Sequence, residues 1–190
     1  MQNGLVIVAL ESELDFALWD FEVPVVFTGV GKINAALRTH QAIEKYRPDL
    51  IVNVGTVGSL KIELGKVCEI GSVVQRDFDT TPLAPRGIVP FDGKPSIYYS
   101  ADGKFRCGTG DSFVTKLDPW LIENKIDVVD MELFAIAQVC SEKDIPWKSF
   151  KFVSDMVGSN SKDEWVEGKS EASARLIEVL SNYFLNLSVT

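Results

Sequence analysis

Apolar residues arrive in short bursts along the first third of the chain, and glycine or acidic residues follow each burst. Leu5-Val-Ile-Val-Ala-Leu10 is apolar throughout, the pattern of a strand buried on both faces. Val23-Pro-Val-Val-Phe-Thr28 and Leu50-Ile-Val-Asn-Val54 predict two more strands. Between them, Lys32 to Tyr46 carries Ile33, Ala36 and Leu37 at helical spacing and stops before Pro48. Glu11 to Trp19 predicts a short helix, and Gly55-Thr-Val-Gly58 a turn after the third strand. Strand, turn, helix, strand, turn is the order of an α/β unit with parallel strands.

The middle of the chain changes period. Val67–Arg76, Ser96–Ser100 and Phe105–Cys107 predict strands, with the proline-rich loop Thr81–Gly87 between the first two. Ile126–Val129 is a further short strand, running into a helix over Met131–Glu142. That helix has Leu133, Ile136, Ala137 and Cys140 on its core face. Phe150–Val153 is the last predicted strand, followed by Ser154-Asp155 and a polar loop over Gly158–Asp163. A closing helix over Ser170–Leu185 places Ala174, Leu176, Ile177, Leu180 and Phe184 on one side. The expected architecture is a mixed sheet sandwiched by helices, in one domain spanning residues 1–190.

Composition narrows the function classes. With 46% apolar and 24% charged residues the chain has the balance of a soluble globular domain. A net charge of −8 argues against a phosphate-backbone binder, so no nucleic-acid partner is expected. The start lacks a basic segment ahead of its short apolar run, and no stretch reaches membrane-span length. Neither a signal peptide nor a membrane partner is therefore expected. Cys68, Cys107 and Cys140 lie far apart in apolar surroundings, which fits buried thiols in a reducing cytoplasm. His40 is the single histidine, so a His-rich metal site is excluded, and the residue types imply no metal or organic cofactor.

In open α/β sheets, ligands sit beyond the carboxyl ends of strands. Here those ends carry Glu11-Ser-Glu13, Gly29-Val-Gly-Lys32, Gly55-Thr-Val-Gly58, Gly108-Thr-Gly-Asp-Ser-Phe113, Asp130-Met-Glu132 and Ser154-Asp155. Each has an ordinary structural explanation. Glu11 and Glu13 suit a first helical turn, Gly55 and Gly58 a tight turn, and Asp130 a helix cap. Phe113 suits a core. Gly29-Val-Gly-Lys32 fails as a phosphate loop, because Ile33 stands where Ser or Thr is required. Polar or glycine residues after six successive strands are nonetheless consistent with one shared pocket.

The motifs Ala9-Leu-Glu-Ser-Glu-Leu14, Thr28-Gly-Val-Gly-Lys-Ile-Asn-Ala35, Asn53-Val-Gly-Thr-Val-Gly58, Gly110-Asp-Ser-Phe113, Val129-Asp-Met-Glu132 and Ser154-Asp155 occur in this order over nearly the whole chain. Their order resembles the nucleoside phosphorylase/nucleosidase superfamily, closest to the methylthioadenosine/S-adenosylhomocysteine nucleosidases. The resemblance implies an α/β fold, a three-layer mixed β-sheet flanked by helices (nucleoside phosphorylase-like). It also implies a purine nucleosidase that releases adenine from 5′-substituted adenosines. Such a reaction passes through an oxocarbenium-like sugar, so a water must be positioned and the leaving base neutralised.

By resemblance, Glu13 is the general base for the water, and Asp155, steadied by Ser154, donates a proton to N7 of the purine. A desolvated pocket favours that proton. Glu132 would bind the ribose hydroxyls and Met131 pack near the sugar. Phe113 would stack on the base and the Val114 backbone meet its edge. Thr56 and Gly58 would line the water or anion position.

Phosphorylases of the superfamily commonly place Arg before the Gly-x-x-Gly segment; this chain has Asn53, which favours hydrolysis. Asp155 suits adenine, since a carboxylic acid can donate to N7 and accept from a 6-amino group. The chain also departs from the family. It is short, and it lacks the usual hairpin between Glu13 and Thr28. Met156–Trp165, the segment expected to cover the 5′ group, is abbreviated. Lys151 stands four residues before Asp155, where Arg is frequent. The superfamily's other reaction, a phosphate-dependent phosphorylase, is one alternative, and the shortened chain and Lys151 keep a noncatalytic nucleoside-binding module as another. The implied partners are a small purine nucleoside and a second copy of the chain, with Ile88 and Val89 as candidate interface residues.

Overall fold

The computed structural model describes residues 3–15, 22–158 and 161–187, with side chains in the last segment described over 171–186. Its strands are β1 (Gly4–Val8), β2 (Val25–Phe27), β3 (Leu50–Ser59), β4 (Val67–Gln75), β5 (Ile97–Tyr99), β6 (Phe105–Thr109), β7 (Val128–Asp130) and β8 (Trp147–Met156). Its helices are α1 (Lys32–Tyr46), α2 (Pro119–Glu123), α3 (Leu133–Glu142) and α4 (Ser161–Leu187), and a 3₁₀ turn spans Glu11–Glu13.

The expected three-layer mixed α/β architecture is present, and the sheet curls back on itself. β3 pairs parallel with β8, β8 antiparallel with β4, β4 parallel with β6, β6 parallel with β7, and β7 antiparallel with β3. β1 and β2 extend the sheet from β3 as parallel strands, and β5 adds an antiparallel edge to β4. Apolar residues of α1 and α3 cover one side, with Leu133, Ile136, Ala137 and Cys140 in that core. Residues of α4 cover another, where Leu176, Ile177, Leu180 and Phe184 pack on Val6, Val52, Phe150 and Phe152. All three cysteines are buried free thiols.

Several expectations needed correction. The last predicted strand grows into the ten-residue β8, which includes Ser154 and Asp155. Gly55-Thr-Val-Gly58 is not a turn but part of β3, paired along its length with β8 and at Gly58 also with β7. The α1 bounds match, but the apolar face does not. Ile33 is 80% exposed and Leu37 54% exposed, while Ala35, Thr39, Ala42 and Ile43 are buried. Ala35, Ala42 and Ile43 join the core shared with α3, while Ile33 and Leu37 face outward. Ala174 is likewise exposed, and Ala172 takes its place in the core. The polar stretch from Ser161 to Asp163 begins α4 rather than a loop. Of the helix predicted over Glu11–Trp19, only the 3₁₀ turn is seen, and residues 16–21 lie outside the described residues.

Candidate active site

One cavity of about 750 Å³, part of it open to solvent, gathers the strand-end motifs. Its walls include Glu13, Thr56, Gly58, Phe113, Val114, Met131, Glu132, Ser154 and Asp155, together with Arg76. Apolar atoms from Ala9, Val30, Val57, Val129 and Val157 complete much of the lining. An apolar cavity with a few convergent polar groups is the usual form of a small-molecule site.

Glu13 is buried at 4% exposure, an unusual place for a carboxylate. The 3₁₀ turn after β1 delivers it to β3. There its Oε1 accepts from the Thr56 amide (2.9 Å) and the Thr56 hydroxyl (2.7 Å), while Oε2 accepts from the Leu10 amide (3.2 Å). A first-turn dipole role fits its exposed neighbour Glu11, not Glu13. A Cβ on Gly55 would lie 3.4 Å from this carboxyl group and 3.6 Å from the Lys151 Nζ, so glycine leaves room between the two side chains.

Beside β3, β8 carries one extra residue. Val57 pairs with Val153 and the next residue, Gly58, with Asp155, so Ser154 is inserted between them. Such a bulge re-aims the side chains beside it. The Ser154 hydroxyl donates to Asp155 Oδ1 at 2.7 Å, and a Cβ on Gly58 would lie 2.9 Å from Asp155 Oδ2. Gly58 is thus required for space, not for an unusual turn.

Glu132 begins α3 and points back to α1, where its Oε1 accepts the Gly31 amide at 2.8 Å. Burial, then the Asp130 charge, push its carboxyl up to about 7, against the opposing pull of Lys151 and the Gly31 amide. A nucleoside whose hydroxyls donate to this carboxylate selects the ionised form. Affinity is therefore expected to rise by about 10-fold from pH 6 to pH 8 as Glu132 ionises. Titration calorimetry of methylthioadenosine on the Asp155→Asn protein measures this, and a flat profile excludes Glu132 as the acceptor.

Asp130 is less exposed than a cap requires. Its Oδ2 accepts the Leu133 amide (2.9 Å), the expected capping bond. The same oxygen also meets the Lys151 Nζ at 3.0 Å, and Oδ1 accepts the Thr109 hydroxyl at 2.5 Å. Burial opposes charge on both partners. Even so, the ammonium, the hydroxyl and the amide hold Asp130 below the usual carboxylate range, and Asp130 holds Lys151 above the usual lysine range. Both are charged. This corrects the placement of Lys151 among the residues that touch a ligand: its ammonium is spent on Asp130 behind the cavity wall.

A match to the phosphorylase superfamily family model covers residues 17–185. The chain belongs to the phosphorylase superfamily. Among its relatives is the 5′-methylthioadenosine/S-adenosylhomocysteine nucleosidase of Bacillus subtilis (strain 168). It is 29% identical over 187 residues, covering 82% of this chain and 79% of that protein. In three dimensions the chain is similar to the nucleosidase of that name from Helicobacter pylori, with a TM-score of 0.85, 18% identity, and coverage of 96% of this chain and 99% of the other. It is also similar to the one from Colwellia psychrerythraea 34H, which was solved with adenine. That match has a TM-score of 0.80, 22% identity, and coverage of 91% and 90%.

In this superfamily member nine of the ten residues singled out from the sequence line one cavity, and Lys151 does not. Asn53, two positions ahead of the Gly-Thr-Val-Gly segment, ties strands together: its side chain donates to the Ile7 carbonyl and accepts from the Ser149 hydroxyl. Arg76 is the residue that sequence reasoning missed. It directly follows β4 and is buried. Its guanidinium donates to the carbonyls of Gly108 (3.2 Å), Gly110 (2.9 Å) and Ser112, and to the Ser112 hydroxyl (3.2 Å). Only its position at a strand end could have marked it.

Proposed function

We propose that this protein hydrolyses the N-glycosidic bond of adenosine-type nucleosides, with 5′-substituted adenosines such as methylthioadenosine and S-adenosylhomocysteine as substrates and adenine as a product. The observation that carries this reading is the pair of carboxylates lining one cavity, Glu13 held by Thr56 and Asp155 held by Ser154. Water attacks the anomeric carbon and gives a proton to Glu13. The bond from that carbon to N9 breaks, its electron pair passes to the purine, and Asp155 protonates N7, so adenine leaves neutral. Glu132 receives the ribose hydroxyls, Met131 and Phe113 supply apolar contact to sugar and base, and the Val114 backbone meets the base edge.

Hydrolysis is favoured over phosphorolysis by what the cations do. Arg76 is the one cation among the described cavity-lining residues, and its donors go to three carbonyls and a hydroxyl. A phosphate dianion needs uncommitted donors. Chromatography of the purified protein with methylthioadenosine in phosphate-free buffer is expected to yield adenine and the free sugar. A strict phosphate requirement with a sugar 1-phosphate product would replace hydrolase by phosphorylase, and tight binding without turnover would leave a binding module.

A homodimer is part of the proposal. Ile33, Leu37 and Phe91 are exposed large apolar side chains, Phe91 at 93%, and Ile88 is also exposed. Covering them with a second copy removes apolar surface from water. Light scattering is expected to give twice the 21.0 kDa chain mass. The three buried thiols fit a cytoplasmic location.

A further inference from the structure

Two carboxylates from different parts of the fold dock on two successive amides at the start of α1. Glu132 Oε1 accepts the Gly31 amide at 2.8 Å, and Asp111 Oδ1 accepts the Lys32 amide at 2.8 Å. Gly31 has φ +95°, and a Cβ there would lie 3.3 Å from Asp111 Oδ1, so only glycine combines this backbone with this approach. The first carboxylate belongs to the ribose side of the cavity. The second begins the loop that presents Phe113 and Val114 on the base side.

The loop is itself held from the end of β4 by groups of opposite type. Arg76 takes its carbonyls at Gly110 and Ser112, and Asp77 takes its amide, with Asp77 Oδ2 accepting from Asp111 N at 2.8 Å. Asp77 Oδ1 meets the Lys32 Nζ at 2.5 Å, which closes a triangle of Lys32, Asp77 and Asp111. Burial alone would raise the Asp77 carboxyl; the Lys32 ammonium and the Asp111 amide outweigh it and hold the group below its ordinary value. Lys32 thus faces both carboxylates. Phe113 stands 53% exposed, and its neighbour Val114 packs on the core beside Val129.

We propose that Asp111 is a positioning residue that fixes the base-side loop to the same pair of α1 amides that orients Glu132, so that base and ribose contacts are set by one joint. Asp111 acts through the loop and does not touch the nucleoside. The kinetic part of this inference rests on the nucleosidase reading; the joint itself does not.

The test compares Asp111→Ala, which removes the acceptor, with Asp111→Asn, which keeps an oxygen for the Lys32 amide. Asp111→Ala is expected to raise the KM for methylthioadenosine about 10-fold while kcat changes less than about 3-fold, and Asp111→Asn to stay within about 3-fold of the parent in both. Amide exchange by mass spectrometry, without ligand, is expected to show faster exchange over residues 110–114 and 31–34 in Asp111→Ala alone. Unchanged exchange in those segments, or an Asp111→Asn protein as impaired as Asp111→Ala, overturns the joint. If the parent protein releases no adenine while the exchange difference appears, the nucleosidase reading fails and the joint stands.

Discussion

Asp155→Asn is expected to slow adenine release about 10³-fold while leaving the KM for methylthioadenosine within about 3-fold. The substitution is nearly isosteric, and the oxygen that accepts from the Ser154 hydroxyl at 2.7 Å is retained. Gly58 still faces the group, so the bulge of β8 has no new neighbour to accommodate. What disappears is the proton for N7, and without it the purine must depart as an anion. Steady-state kinetics with adenine quantified by chromatography measures the effect. Undiminished release from the purified variant would remove Asp155 from the acid role. A large rise in KM with unchanged kcat would make it a binding residue instead.

Lys151→Met is expected to destabilise the protein by about 3–5 kcal/mol, because it strands the Asp130 carboxylate in the interior. The two side chains are 2% and 1% exposed and 3.0 Å apart, so water does not replace the lost ammonium. In a chain of this size that loss corresponds to a fall in Tm of about 10 °C. The double variant Lys151→Met with Asp130→Asn is expected to recover most of the loss, since the amide oxygen still accepts a hydrogen bond and no charge is left unpaired. Urea and thermal unfolding of the three proteins decide it. A single variant within about 1 kcal/mol of the parent would mean that Asp130 finds another counter-charge.

The elements and the site were legible to different degrees. The ends of α1 could be read because Gly31 and Pro48 punctuate an otherwise uninterrupted helix former, and the helix runs from Lys32 to Tyr46. Its buried face could not be read from hydrophobicity. Ala35 and Ala42 are buried for their size, and Ile33 and Leu37 remain outside. The Gly-Thr-Val-Gly segment looked like a turn because glycine weakens strands. In the fold β7 and β8 both pair with it, and the missing side chains leave room for the Glu13 and Asp155 carboxylates. Arg76 was invisible because its partners are backbone carbonyls more than 30 positions away, which no side-chain motif records.

The sequence by itself determined the order of the α/β elements, the strand-end motifs and the residue types that can run acid–base chemistry on a nucleoside. Those properties are local: period, punctuation, and the identity of each side chain. Only the tertiary structure decided what each charged group faces. Asp130 and Glu132 stand two positions apart on the chain and both line the cavity, yet one is paired with the buried Lys151 and the other with the Gly31 amide. The bulge between Val153 and Asp155 and the pairing of β3 with β8 bring Asp155 over Gly58. The energy of a carboxylate depends on burial and on charges a few ångströms away, and closing the sheet brings those charges together from distant positions.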